Sequence, residues 1–409
     1  MNKNRQLLVS LLSDAIRGKT YNKNIDTSID WEELYVEAQT QGVATFLFPL
    51  ILLLEKSCQP NEDIMGKWKN ITIRSGIIQI HYVSSVGSVL QKLHDTGIPI
   101  IVMKGLLLRN LYPQPELRSM SDVDILVREE DIEKAKSLLI SIGYTYSDDH
   151  DPKEIRFYSK NNILIELHWR LTVPGYVEKS DIFEKSIWKN AKDFSLMGVP
   201  IKVLAPDDFI IHLCLHMIFH LSNSGFGLRM LCDLVLLVES ERNSIDWVEF
   251  NDKIKSIDIK KFVQAIFIVC NRLFNMELPP IPYEIEKNDL FIDAFIKDIF
   301  LSGHNKEERL ERKNINELIK HSNDNKEYFR NKLILTLKII FPTRKGLAKN
   351  YLYLYKYPFL YPVAWGHHLY KSIFKKNMIH NVSSRFKFSK KTHNLYQERA
   401  DLFKWLGLK

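Results

Sequence analysis

The segment Ser121-Asp-Val-Asp-Ile-Leu-Val127 constrains the chain most, because it sets two carboxylates two residues apart inside an apolar run. Side chains on a β-strand alternate between faces, so Asp122 and Asp124 point one way while Val123, Ile125 and Val127 point the other. A second run, Ile163-Leu-Ile-Glu-Leu-His-Trp169, alternates in the same manner. There Glu166 and His168 share a face, and Ile165 and Leu167 take the opposite one. If these two strands pair, three carboxylates meet, and such a cluster repels itself unless a cation joins it. Hard oxygen ligands at one point suit Mg²⁺, with Mn²⁺ as the alternative ion. Mg²⁺ takes one or two protein carboxylates and completes its shell with water and phosphates. Two metals held there can clamp the attacking and leaving oxygens of a phosphoryl displacement.

Upstream, residues 97–112 (GIPIIVMKGLLLRNLY) read as a strand over Ile98–Met103 that turns at Gly105 into a helix reaching about Tyr112. Free backbone N–H groups at such a turn, with the positive end of a helix dipole, suit a phosphate. Lys104 and Arg118 supply further positive charge for a nucleotide.

The series MKG (103–105), R-x-x-x-D-V-D-I-L-V (118–127), GYT (143–145) and IELHW (165–169) resembles the nucleotidyltransferase superfamily of polymerase-beta-like fold. More narrowly it is similar to a bacterial family described only as uncharacterised nucleotidyltransferases. YVEAQTQGVATFLF (35–48), IIHLCLHMIFHLS (210–222) and LRMLCDLVLLV (228–238) extend the likeness from about Trp31 to Glu239. The resemblance implies that Asp122 and Asp124 are metal ligands, that Glu166 is the third carboxylate, and that the substrate is a nucleoside triphosphate. One departure stands out: where the superfamily carries glycine-serine at its phosphate turn, this chain has Lys104-Gly105 followed by Leu106, without a hydroxyl.

Plainer readings compete at each position. A D-x-D also decorates solvated strand edges, Lys104 also reads as a surface lysine at a turn, and Arg118 is close enough in sequence to pair with Asp122. His168 reads as a packed or supporting histidine, since Mg²⁺ prefers oxygen. His212, His216 and His220 recur every four residues beside Cys214, on one helical face. They lack the glutamate of H-E-x-x-H and any paired cysteine, so they read as lining a helix that borders the cleft rather than as a zinc site. Asp233 is a further cleft candidate.

At 409 residues, 45% of them hydrophobic, the chain has material for several packed segments. The four cysteines lie far apart without a C-x-x-C, which points to a reducing, cytoplasmic setting. The first residues read as an amphipathic helix and not as a signal peptide. The longest apolar run, Val43 to Leu54, includes Pro49 and falls short of the roughly 20 residues that cross a bilayer. Changes of apolar period divide the chain into a helical cap (1–95), an α+β core (96–205), a helical lobe forming the cleft wall (206–302) and an extension (303–409). Within the core, DVDILV, GYTY, EIRFYS and ILIELHW read as strands beside that of MKG, with a helix near Asp131–Ile142. Charge is concentrated in the extension: residues 301–409 hold 23 Lys and Arg against 8 Asp and Glu, and residues 331–390 hold no acid at all. Interleaved with aromatics, that extension suits an anionic membrane face or the catalytic lobe itself, with nucleic acid the weaker partner.

Together these features predict a metal-dependent nucleotidyltransferase acting on an acceptor hydroxyl. The competing expectation is a catalytically idle nucleotide-binding scaffold docked by its basic tail.

Overall fold

The computed structural model of the chain describes all residues except 27, 148–150, 174–176, 178, 286–288, 303–305, 322–346, 348–350, 352, 375–389 and 409. They divide into two compact units, residues 1–221, 225–304 and 405–408 in one and 222–224 with 305–404 in the other.

The first unit opens with helices α1 (Lys3–Ala15), α2 (Trp31–Thr40) and α3 (Ala44–Leu52), followed by the 34-residue α4 (Glu62–Asp95). The length of α4 follows from its ends. Asn61 caps it by accepting from Ile64 N, Glu62 and Asp63 occupy its first turn, and Lys92 and His94 occupy its last, each matching the helix dipole. Ile64, Trp68, Thr72, Gly76, Gln79, Tyr82, Val86, Leu90 and Leu93 recur at three- to four-residue spacing and form its buried face.

Seven strands make one mixed sheet in the order β3-β4-β5-β2-β1-β7-β6. These are β1 (Ile100–Met103), β2 (Val123–Val127), β3 (Thr145–Tyr146), β4 (Glu154–Tyr158), β5 (Leu164–His168), β6 (Lys192–Leu196) and β7 (Val199–Val203). β2 lies at the centre, antiparallel to β1 and parallel to β5, and every one of its residues is buried. The alternation in DVDILV is therefore that of an interior strand, not of a solvated edge. One face of the sheet carries Ile100, Val102, Val123, Ile125, Val127, Ile165 and Leu167 into a single apolar core. Val86, Leu90 and Leu93 of α4 and Ala135 and Leu139 of α6 (Ile132–Ser141) close that core.

Two elements of the sheet region lie outside the sequence expectations: α7 (Ser180–Asn190) and the β6–β7 hairpin. Met197 (φ 54°) and Gly198 (φ 79°) turn the hairpin, both in the left-handed region that a two-residue hairpin loop requires. The methionine hides this turn, because asparagine or aspartate is the usual signal before the glycine. The helix expected from Gly105 to about Tyr112 is a single turn, α5 (Gly105–Leu108), that tightens into a 3₁₀ turn over Arg109–Leu111.

Beyond the sheet come α8 (Pro206–Leu221), α9 (Leu228–Glu241), α10 (Trp247–Ser256), α11 (Lys260–Phe274) and α12 (Asp289–Leu301). In the second unit, α13 (Lys306–His321) precedes short helices at Tyr353–Lys356 and Tyr361–Phe374. Much of the basic, aromatic stretch 331–390 lies outside the described residues. In the described part the aromatics divide: Tyr351 is buried with Leu347, Leu354 and Ala364, whereas Phe359 and Tyr370 are largely exposed. Among the described residues no helix is long and apolar enough to cross a membrane.

Leu167 is fully buried in the core beneath the sheet. Leu167→Ala is expected to lower the unfolding free energy by about 2–5 kcal/mol in chemical denaturation.

Candidate active site

The register of the sheet assembles the site. Asp124 of β2 stands beside Glu166 of β5 on one side and Met103 of β1 on the other, and Glu166 stands beside Arg156 of β4. Asp122, two residues before Asp124, precedes the strand on the same face and is only partly buried. Helix α4 aligns the two strands. Gln79 Nε2 donates to Met120 O at 3.0 Å, just ahead of β2, and the Tyr82 hydroxyl donates to Leu164 O at 2.8 Å, at the start of β5.

Asp124 is the most enclosed of the three expected carboxylates. Its Oδ1 accepts from Lys104 Nζ at 2.5 Å and lies 3.0 Å from His168 Nε2. Burial opposes the charge of Asp124, but Lys104 and His168 outweigh it and hold this carboxyl well below the usual range. The same contacts act on the partners. Burial works against the Lys104 ammonium, and the Asp124 carboxylate more than offsets it, raising its pKa. His168 is likewise raised, against burial, by its hydrogen bonds to Asp124 and Glu166. Asp122 is pushed up, by burial first and then by the Asp124 charge. Like charges crowded on one face make a further cation favourable there.

Glu154, which the sequence reading passed over, completes this network from β4. It is buried, pairs with Lys153 and Arg156 at 2.5 Å each, and brings Oε2 to 3.4 Å from His168 Nδ1. Arg156 also reaches Glu166 at 3.1 Å. The signal was present in E-I-R-F, whose alternation puts Glu154 and Arg156 on one strand face, but only the β4–β5 register shows which face it is. His168 is thus held between Asp124, Glu166 and Glu154, joined to the acidic cluster rather than packed away from it.

Asp124, Glu166 and His168 each offer one ligand atom, all within 4.8 Å of one another, so this group can hold a metal ion. The donor set of two carboxylates and one imidazole fits a divalent ion, and the imidazole suits Mn²⁺ or a later transition metal better than Mg²⁺.

Arg118 and Asp233 meet away from the carboxylate cluster. Arg118 Nε and Nη2 donate to the two carboxylate oxygens of Asp233 at 2.9 and 2.6 Å, and the Tyr112 hydroxyl adds a bond of 2.8 Å to the same carboxylate. Both charges are buried. Arg118 pairs with Asp233 and not with Asp122; residues 118–122 form no helical turn that would bring i and i+4 together. Its charge is committed to α9, with Nη1 lying against the Gly105 turn. A Cβ at Gly105 would come within 2.7 Å of that nitrogen and 3.1 Å of Met120, so close packing alone demands glycine there. Arg229, also on α9, donates to Ser119 O at 3.2 Å and fixes the same loop.

The histidines of α8 border the cluster. Charges on Lys104 and Asp124 act on His212 and His216, and His216 Nε2 lies 3.0 Å from His220 Nε2. Among the described residues, neither ring nitrogen of His212 has a hydrogen-bond partner. Among the described residues these three form no metal-competent group, and the only such group found is the one at Asp124. His216 also lines a water-sized cavity of about 20 Å³ with Lys153, Thr172 and Phe219.

With this geometry in place, comparison with known proteins is informative. A family model described as "Uncharacterised nucleotidyltransferase" matches residues 27–275, more than half of the chain. The chain belongs to this nucleotidyltransferase family. The match spans every residue of the site described above, from the α2 region to α11. No curated protein matches. Among solved structures, an antigenic nucleotidyltransferase-like protein from Paracoccidioides brasiliensis aligns at 13% identity. Its TM-score is 0.29, covering 45% of this chain and 92% of that one, a likeness too slight to bear on fold or activity.

Two outcomes follow. Asp233→Leu leaves Arg118 charged and buried without its partner, and is expected to cost about 3–5 kcal/mol of stability; a double variant with Arg118→Met should recover most of that loss in denaturation measurements. His220 is lowered to about 4 by burial, then by the charges of Lys104, Lys153 and Arg229. The folded state therefore stays neutral at this residue while the unfolded chain takes up a proton below about pH 6.5. Stability is accordingly lost as pH falls from about 6.5 towards about 4. His220→Gln should make that decline shallower, read as unfolding midpoints across the range.

Proposed function

We propose that the chain is a metal-dependent nucleotidyltransferase of polymerase-beta-like architecture, moving a nucleoside monophosphate from a nucleoside triphosphate to an acceptor hydroxyl. One observation carries the reading: the parallel β2–β5 register sets Asp124 beside Glu166, with Asp122 two residues ahead on the same face, in a chain of a nucleotidyltransferase family.

In this reading Asp122, Asp124 and Glu166 hold the divalent ion, Mg²⁺ or Mn²⁺; of these, Asp124 and Glu166 belong to the group whose ligand atoms already converge, and Asp122 lies outside it. When bound, it neutralises phosphate charge and polarises the reacting phosphoryl group. The chain's own groups do the rest. The first amides of the α5 turn, at Gly105 and Leu106, face the phosphates; those of Leu107 and Leu108 are taken by Lys104 O. Arg118 supports this turn from beneath through its bond to Asp233, and its remaining Nη1 is the atom nearest Gly105. Lys104 brings positive charge beside the phosphates while bound to Asp124. The acceptor oxygen attacks the α-phosphorus, the bond to the β-phosphate oxygen breaks, and pyrophosphate departs with the electron pair. Glu166, more accessible than Asp124, receives the acceptor's proton or shares in holding the metal. His168 keeps both carboxylates oriented, His216 contributes to the wall of the cleft, and Asp233, expected to line the cleft, is instead buried against Arg118. The protein works in the cytoplasm, and the basic extension attaches it to an anionic membrane face.

A second reading has its own support. Asp124 Oδ1 already carries two hydrogen-bond partners, Lys104 and His168, so this oxygen is occupied without an added ion. A nucleotide-binding scaffold that has lost turnover would look the same. The two are separated by incubating the chain with each α-labelled nucleoside triphosphate, Mg²⁺ or Mn²⁺ and fractionated cell extract. Transfer of label that falls by more than about 100-fold in Asp124→Asn supports the enzyme, since even outer-shell changes at metal sites cost 10–100-fold. Binding without any transfer, for all four bases, supports the scaffold and ends the catalytic reading.

A further inference from the structure

We propose that the ammonium of Lys104 occupies the place of one of the two metal ions that such a carboxylate cluster could hold, so that the protein's own centre takes a single divalent ion. This rests on the metal-dependent reading above and specifies its stoichiometry.

Three observations carry it. Lys104 Nζ lies 2.5 Å from Asp124 Oδ1, a contact in which the side chains are 11% and 3% exposed, so the pair is sealed rather than screened by solvent. The carboxylates acting on Lys104 are Asp124, then Asp122, then Glu166, the same three that would ligate metal. The ammonium thus feels the charge of all three while bonding to Asp124. The third observation is the backbone: Lys104 adopts φ 50° and ψ −126°, a conformation that favours glycine and strains a residue with a Cβ. The strain persists because the surroundings over-determine the position. Lys104 O accepts from both Leu107 N and Leu108 N, and Nζ is anchored by Asp124.

Charge balance points the same way. The local acids are Asp122, Asp124, Glu154 and Glu166, and the local fixed cations are Lys104, Lys153 and Arg156. Four carboxylates face three fixed cations, with the His168 imidazole beside them, which leaves little charge for a second divalent ion to answer. A second ion in the same low-dielectric space would have to coexist with Lys104 at the oxygen that Lys104 already holds. With Lys104 removed, that oxygen keeps His168 as its partner but loses its ammonium, and one positive charge is withdrawn from the cluster.

The test is Mn²⁺ binding to the full chain without nucleotide, counted by electron paramagnetic resonance of free Mn²⁺ and by calorimetry. It compares wild type with Lys104→Gly and Lys104→Met. The glycine variant suits the backbone conformation at this position, so it keeps the experiment decisive should the methionine variant fail to fold; a cooperative thermal transition verifies both. The expected result is one Mn²⁺ per chain in wild type and two in the variants. Two ions in wild type, or one ion at unchanged affinity in a folded variant, overturns the proposal while leaving metal dependence intact. Absence of Mn²⁺ binding in every protein overturns this proposal, whereas the metal-dependent reading is decided by the label-transfer experiment.

Discussion

Burying carboxylates inside a sheet is the constraint on which this structure turns. Asp124 sits on a strand whose every residue is buried, where an uncompensated charge would cost several kcal/mol. Lys104 from the end of β1 and His168 from the end of β5 reach it from the two flanking strands. The sheet order thus serves two ends at once. Placing β2 between β1 and β5 buries the apolar half of D-V-D-I-L-V against α4 and α6, and it delivers a cation from each neighbour to the polar half. Glu154 and Arg156 extend the same logic by one strand, so that charge alternates across the face instead of accumulating.

A second buried pair fixes the approach to this face. The loop entering β2 is tied to α9 twice, by Arg118 to Asp233 and by Arg229 to Ser119 O. Tyr112 adds a third bond from the segment after α5. The turn that carries Gly105 is consequently held from below by a helix more than 100 residues later. This makes Arg118 a support for the turn and explains why so polar a residue lies in the interior.

Much of this was legible in sequence for physical reasons that can be named. Period-two alternation identified β2 and β5 and assigned the faces of Asp124, Glu166 and His168, because pleating leaves no alternative. That these strands are neighbours was only a condition of the sequence reading, and the β2–β5 register supplies it. The partners of Arg118 and Asp233 were not legible: an ion pair spanning 115 positions leaves no local pattern, so Arg118 reads as a nucleotide contact or a partner of Asp122, and Asp233 as a cleft residue. Glu154 was missed because a strand's alternation gives two faces without saying which one is the site. Lys104 was read as a phosphate ligand because its position after a strand suggested the turn, whereas its left-handed backbone and its bond to Asp124 are properties of the folded chain alone. In the basic extension, composition marked charge and aromatics but not their separation into buried Tyr351 and exposed Phe359.

The parallel pairings carry a consequence for how the chain acquires its structure. β1 pairs with β7 across about 100 intervening residues, and β2 with β5 across about 40. Such long-range contacts pay loop-closure entropy before they are rewarded, which slows folding. During synthesis the acidic face has no complete set of counter-charges until His168 has emerged, and Arg118 has none until Asp233 follows. A fragment ending at the last strand would retain all seven strands yet keep an arginine stranded in its interior. By this criterion the sheet is not a separable module, and the helices that follow it are part of its folding unit.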